Sequence, residues 1–223
     1  MTPNIENASF VCSWSGGKDS CMALYRAIQG GGKPAYLLTM LREDGERSRS
    51  HGIPPSVLEQ QAASLGIPLI TRDATWEDYE PVFIDTLKEL REEGVTMGVF
   101  GDIDLDDHRE WEEKVCHAAG MEAHLPIWKT PRRALIEDFL GAGFMAIIVA
   151  CNDEKMGHDY LGKPLSIDLI GEFEEMGIDS AGEEGEYHTV VVDGPIFNSP
   201  VRVIQGKKEL FSGYWFLEVE IEG

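Results

Sequence analysis

Basic residues are scarce in this chain. Nineteen lysines and arginines stand against 40 aspartates and glutamates, a formal net charge of −21. A surface that negative repels a phosphate backbone, which disfavours broad nucleic-acid binding unless a local basic patch rescues it. The basic residues that do cluster form small groups, Arg42, Arg47 and Arg49, then Lys129, Arg132 and Arg133. An anionic nucleotide would have to be held by local devices such as a helix N-terminus, a lysine and a divalent ion. Long apolar runs are missing too. The longest, Ala142 to Cys151, is too short to cross a bilayer, and the opening residues MTPNIENASF lack a basic segment followed by an apolar core. The expectation is a cytoplasmic protein with no export signal and no membrane partner. The four cysteines, Cys12, Cys21, Cys116 and Cys151, form no C-x-x-C pair, and buried reduced thiols are expected of them. His51, His117, His124 and His158 show no metal-ligand spacing, so surface or packing roles are expected. There is no internal repeat, no low-complexity tract and no flexible linker.

What is present is a chain of 223 residues, 43% hydrophobic, able to bury a substantial core. Short apolar runs alternate with longer helical patterns. Ser9 to Trp14, Ala35 to Leu41, Ile67 to Arg72, Met97 to Ile103, Ala123 to Trp128 and Phe144 to Cys151 read as strands buried on both faces. Between them, Cys21, Leu24, Tyr25 and Ile28 make a helical stripe. Ser56 and Glu59 read as a capping box, and Tyr79, Phe83, Leu87 and Leu90 stripe a helix with Pro81 in its first turn or at a kink. His108, Trp111 and Val115 line a further helix, and Thr130-Pro131 reads as a cap with proline at the first helical position. This alternation predicts a mainly parallel sheet. After Cys151 the pattern changes to one helix, Ser166 to Met176, an acidic loop, Gly177 to Glu186, and strands at Thr189 to Val192, Val201 to Ile204 and Tyr214 to Ile221, with Gly206-Lys207-Lys208 in the turn region. That tail reads as an antiparallel unit.

The stretch SFVCSWSGGKDSCMALYRAI, Ser9 to Ile28, joins the first strand to the first helix through Ser15-Gly16-Gly17-Lys18-Asp19-Ser20. In open parallel sheets the first strand-to-helix turn is a favoured ligand site. Gly16 and Gly17 remove side chains that would block close approach, Lys18 brings a point charge for phosphate oxygens, and Ser15 and Ser20 can donate hydroxyls. Asp19 would be repelled by bare phosphate, so Mg²⁺ or helix capping is its expected role. A plain glycine turn is the competing reading. The Walker A loop does not fit, since Cys12 and Asp19 occupy places where it needs glycine and Ser or Thr, and G-x-G-x-x-G does not occur.

The hexapeptide resembles the pyrophosphate loop of the N-type ATP pyrophosphatases. That resemblance implies a Rossmann-like fold of the adenine nucleotide alpha hydrolase (HUP) type, an α/β parallel sheet with helices on both faces. It also implies ATP cleavage between the α and β phosphates.

The second constellation is AGEEGEYHTVVVDGPIF, Ala181 to Phe197. Strand alternation would put Glu186 and His188 on one face, with Tyr187 and Thr189 on the other. Clustered carboxylates can hold magnesium, orient an amine or act as a base; a solvated acidic loop is the plainer alternative. The string Gly182-Glu183 to Thr189, followed by Asp193-Gly194-Pro195 and Phe197, resembles the signature of the diphthine–ammonia ligase family. So do Gly101-Asp102-Ile103, Arg109, Val115-Cys116 and Leu125 to Trp128. The resemblance implies amidation of a carboxylate with ATP and ammonia. Ser15, Gly16, Gly17, Lys18, Asp19 and Ser20, with Gly101 and Asp102, would hold ATP and Mg²⁺. Lys18, Asp19, Glu183, Glu186 and His188 would be catalytic, Asp19 being the tentative metal ligand. Residues 1–128 would form the ATP domain and 129–223 a smaller α+β domain on the substrate side. The Asp104 to His108 segment and the Arg42 to Pro55 segment depart from the diphthamide enzymes and resemble a bacterial-type branch, which leaves the acceptor open, as it leaves a homodimer. A tRNA-modifying enzyme on the same scaffold and a nonenzymatic ATP sensor are the alternatives.

Overall fold

The computed structural model describes residues 3–49 and 51–222. Met1, Thr2, Ser50 and Gly223, and so the head of the N-terminal stretch and one residue of the Arg42 to Pro55 segment, lie outside the described residues. The chain forms two compact units. One comprises Met1–Ser15, Asp19–Arg49 and Gly66–Lys129, the other Gly16–Lys18, Ser50–Leu65 and Thr130–Gly223.

The first unit is built on β1 (Ser9–Ser13), β2 (Lys33–Leu41), β3 (Leu69–Asp73), β4 (Met97–Val99) and β5 (Glu122–His124), in the order β3-β2-β1-β4-β5. Every pairing is parallel. β1 is central because its middle residues, Phe10 to Cys12, are apolar and fully buried, as a strand covered on both faces requires. The chain leaves β1 for β2 and β3 on one side and returns to β4 and β5 on the other. The carboxyl ends of β1 and β4 therefore flank the topological switch point, where open α/β sheets bind ligands.

Flanking helices are α1 (Lys18–Gln29), α3 (Tyr79–Glu92) and α4 (Asp106–Ala118); α2 (Pro55–Leu65) falls in the second unit. Phe83, Leu87 and Leu90 of α3 and Val115 and Cys116 of α4 pack with Val11, Leu38 and Met40 of the sheet. Each large apolar side chain buried in this way stabilises the fold by about 1.5–3 kcal/mol.

Several details differ from expectation for local reasons. The fifth strand stops at His124, and Leu125 to Trp128 close a turn with Trp128 N donating to Leu125 O at 3.2 Å; Pro126 has no amide to give a ladder. The buried face of α4 is Glu112, Val115 and Cys116, whereas His108 is exposed. Ser56 is not a cap, because α2 already begins at Pro55, a residue suited to the first helical position. Thr130 is likewise outside α5 (Arg132–Gly141), whose cap position is taken by Pro131. Pro81 lies in the first turn of α3, where no helical amide bond is lost.

The second unit holds an antiparallel sheet in the order β7-β6-β9-β8, from β6 (Met145–Asn152), β7 (Tyr187–Asp193), β8 (Val203–Phe211) and β9 (Tyr214–Ile221). α6 (Ile167–Glu175) is capped by Ser166, whose Oγ accepts from Leu169 N at 3.2 Å. Gly206-Lys207-Lys208 belongs to β8 rather than to a turn. A bulge between Gln205 and Lys208 absorbs the glycine, and the reversal comes at Ser212-Gly213, both with positive φ.

Candidate functional site

In the first unit, the expected nucleotide residues converge where β1 and β4 end. Ser15 Oγ and Ser20 Oγ lie 3.0 Å apart. Asp19 occupies the first turn of α1, where a carboxylate suits the helix dipole, and its Oδ1 is buried. Gly101 is seated directly on this turn. A Cβ there would lie 2.8 Å from the backbone carbon of Asp19 and 2.8 Å from Ser20 N, so no other residue fits. Asp102 follows, its Oδ1 2.7 Å from His108 Nδ1.

In the second unit, Gly16, Gly17 and Lys18 are knitted to β7 and α2. Val191 N donates to Gly16 O at 2.9 Å. Gln61 Nε2, from a side chain with no exposure, donates to Gly16 O at 3.0 Å and to Val191 O at 2.7 Å. Lys18 N donates to Thr189 Oγ1 at 3.1 Å, and Lys18 Nζ stands 5.4 Å from the centre of the Tyr187 ring. These contacts change the reason for the two glycines. A Cβ on Gly16 (φ 78°) would meet Gln61 Oε1 at 2.7 Å, and one on Gly17 would meet His51 Nε2 at 2.7 Å and Thr189 O at 3.1 Å. The missing side chains admit protein groups here.

The acidic loop is a tightly built turn. Glu186, 2% exposed, has Oε1 3.3 Å from Lys155 Nζ, while its Oε2 accepts from Glu184 N at 3.1 Å. Lys155 Nζ also donates to Glu184 O at 2.9 Å. Glu183 N donates to Asp179 Oδ2 at 2.8 Å, and Arg132 lies 3.2 Å from the same Asp179 carboxylate. Gly182 and Gly185 both have positive φ, and a Cβ on them would strike the Tyr187 ring and the Tyr214 hydroxyl. The plain reading of a solvated acidic run does not describe this segment.

His188 meets a residue that sequence reasoning missed. Its ring lies 4.5 Å from that of His51 and 6.1 Å from that of Tyr214. Burial, and after it the Lys18 charge, pushes His188 down to about 4. His51 is lowered well below its ordinary value by burial, then by His188 and Lys18, and its Nδ1 is buried with no hydrogen-bond partner among the described residues. Both imidazoles are therefore neutral near pH 7. His51 had no legible signal beyond its place in the loop after the second strand, and Gln61 looked like one polar position in an apolar helix.

A pH dependence of stability follows. The unfolded chain protonates these histidines near their ordinary value of about 6.5, and the folded chain does not until far lower. Stability is then complete above about pH 6.5 and declines as pH falls toward about 4, by up to about 1.4 kcal/mol per unit for each histidine. Urea midpoints at pH 7.5 and pH 5 should show the loss, and His188→Gln should make it shallower by the share of His188, leaving that of His51. An equally steep decline in that variant would remove His188 from the account.

Among the described residues, no three or more His, Cys, Asp or Glu side chains group closely enough to hold a metal ion. Magnesium that rides on phosphate oxygens and water takes only one or two protein carboxylates, a demand that Asp19 alone can meet. No helix among the described residues is long and apolar enough to cross a membrane. The donor set of the loop, two hydroxyls, a helix N-terminus and a lysine, has the chemistry of an anion site.

Fold and loop together define an α/β protein with a glycine turn at the switch point of a parallel sheet and an antiparallel C-terminal sheet. Family models for the diphthamide synthase N-terminal and C-terminal domains match residues 9–123 and 131–222, and the chain belongs to the diphthamide synthase family. It is similar to a diphthine–ammonia ligase of Danio rerio, 26% identical over 211 residues, covering 84% of this chain and 83% of the relative. It is also similar to those of Rattus norvegicus (26%, 92% and 86% covered) and Bos taurus (24%, 85% and 80% covered).

Proposed function

We propose that this chain is an ATP-dependent amide-forming ligase that couples cleavage of ATP to AMP and pyrophosphate with transfer of a carboxylate's acyl group to ammonia. The observation that carries the reading is the hydrogen bonding of Gly16 and Lys18 onto β7, the strand that bears His188. One segment of chain thereby belongs both to the phosphate-type loop and to the framework of the second motif.

Ser15, Gly16, Gly17, Lys18, Asp19 and Ser20 bind the phosphates of ATP, with Mg²⁺ on Asp19, and Gly101 and Asp102 complete the nucleotide side. Lys18 holds positive charge where pyrophosphate departs. Glu183, Glu186 and His188 form the substrate side, where His188 presents a neutral imidazole at pH 7. Residues 1–128 carry the ATP side and 129–223 the substrate side, with Gly16–Lys18 and Ser50–Leu65 belonging to the second compact unit. The four described cysteines are unpaired and buried, which suits a cytoplasmic setting.

The test is product analysis. ATP, Mg²⁺ and ammonium are incubated with a panel of carboxylates, and AMP is resolved from ADP. AMP with equimolar pyrophosphate, dependent on one carboxylate, is the expected result. ADP with phosphate overturns the reading, and ATP that is bound but uncleaved across the panel favours a sensor.

A further inference from the structure

His108, Glu112 and Cys116 stand one turn apart on α4 and share a face. The loop after β4 sets Asp102 against that face. Asp102 bonds His108 on one side, at 2.7 Å, and the Glu112 carboxyl on the other. Glu112 is 3% exposed, no lysine or arginine pairs with it among the described residues, and its Oε2 is buried without a hydrogen-bond partner. The Glu113 charge also acts on it, and Glu112 in turn raises Tyr79 and Cys116.

Two carboxyl groups in contact resist double ionisation, and the positive charge that acts on the pair, that of His108, favours the Asp102 carboxylate. The proton belongs to the more deeply buried member. Burial first, then the Asp102 hydrogen bond and charge, pushes Glu112 up to about 11. Burial alone would raise Asp102 as well, but the bonds from His108 and Glu112 outweigh it and hold Asp102 below its ordinary value. The result is a carboxylic acid that donates and a carboxylate that accepts, the latter with a side chain still 28% exposed. Asp102 directly follows Gly101, whose backbone is packed on Asp19 and Ser20.

We propose that Glu112 is a positioning residue for the nucleotide site: its carboxyl donates to Asp102 and fixes that carboxylate as the hydrogen-bond acceptor for an N–H or O–H group of the nucleoside of ATP. The inference rests on the ligase reading, because it takes Asp102 to be on the nucleotide side. It adds a residue that carries no motif and makes no ligand contact.

The test is calorimetric titration of wild type, Glu112→Gln, Glu112→Leu and Asp102→Asn with ATP and, separately, with pyrophosphate, which has no nucleoside. Glu112→Gln keeps a donor at the same place and should hold ATP within about threefold of wild type, whereas Glu112→Leu should weaken ATP by roughly tenfold and leave pyrophosphate unchanged. Asp102→Asn should behave like Glu112→Leu, and it reads the same contact if the leucine variant does not fold. Equal ATP affinity in Glu112→Leu and wild type, parallel loss of ATP and pyrophosphate, or a glutamine variant as weak as the leucine one would each overturn the inference alone. A wild-type chain that binds no ATP would take the ligase reading down with it.

Discussion

Lys18→Ala should reduce carboxylate-dependent AMP formation by about 10²–10³-fold, the usual cost of removing one preorganised charge from the place where negative charge develops. Several features single this lysine out. It is 5% exposed and opens α1, at the end of a helix where a cation is disfavoured by the dipole. The helix dipole opposes a positive charge there, and an anion would offset it. Its amide is held by Thr189 Oγ1 and its ammonium lies over the Tyr187 ring, so the backbone of the turn survives truncation while the charge is lost. Lys18→Met separates the contributions, since it keeps most of the stem and should be as inactive as the alanine variant yet closer to wild type in stability. A second readout is independent of turnover. Lys18 is the second cause, after burial, of the depressed His188, so removing it should move the His188 titration upward from about 4 when followed by NMR. AMP formation within tenfold of wild type in both variants would remove Lys18 from the phosphate-handling role.

The sequence was most legible where one physical rule acted alone. β1 is an apolar run buried at its centre and β2 one buried over Leu37 to Leu41, and nothing in the chain competes with that reading. The turn at Ser15 to Ser20 was visible because the whole Ser-Gly-Gly-Lys-Asp-Ser string after a buried strand is narrow in meaning. What the glycines admit was not visible. Gln61 and Thr189 are far from the turn in sequence, and their bonds to Gly16 and Lys18 are fixed by the packing of α2 and β7. Local punctuation misled at Ser56 and Thr130, where a nearby proline set the start of the helix one or two residues from the polar residue taken as its cap. Glu112 looked like one more solvated acid on a helix rich in them. It is buried and hydrogen-bonded to Asp102 of the loop after β4, a tertiary fact without a periodic trace. Glu186 was marked by its motif, but its partner, Lys155, sits in a polar stretch with no signal of its own.

That partnership governs the remaining large effect. Glu186→Ala should cost about 3 kcal/mol of stability in urea unfolding, the lower end for a broken buried pair, because Lys155 keeps a solvated side. The carboxylate is 2% exposed and uses both oxygens, one toward Lys155 and one on Glu184 N. Its loss leaves that amide without its acceptor and the Lys155 ammonium with only Glu184 O to donate to, and the turn that leads into β7 loosens. AMP formation should fall by an order of magnitude or more, about 10-fold at least, while ATP affinity changes little, because the bonds from Val191 to Gly16 and from Lys18 to Thr189 lie further along β7. Whether turnover is lost through the loosened turn or through a missing contact to substrate is separable. Replacing both partners, Lys155→Met with Glu186→Leu, removes the stranded charge and should recover the part of the stability loss that comes from it, while the Glu184 amide stays without its acceptor. If AMP formation returns with it, Glu186 serves turnover by holding the turn that presents Glu183 and His188. If the restored fold remains inactive, the carboxylate itself meets the substrate. The full engagement of both oxygens inside the turn leads us to expect the first outcome.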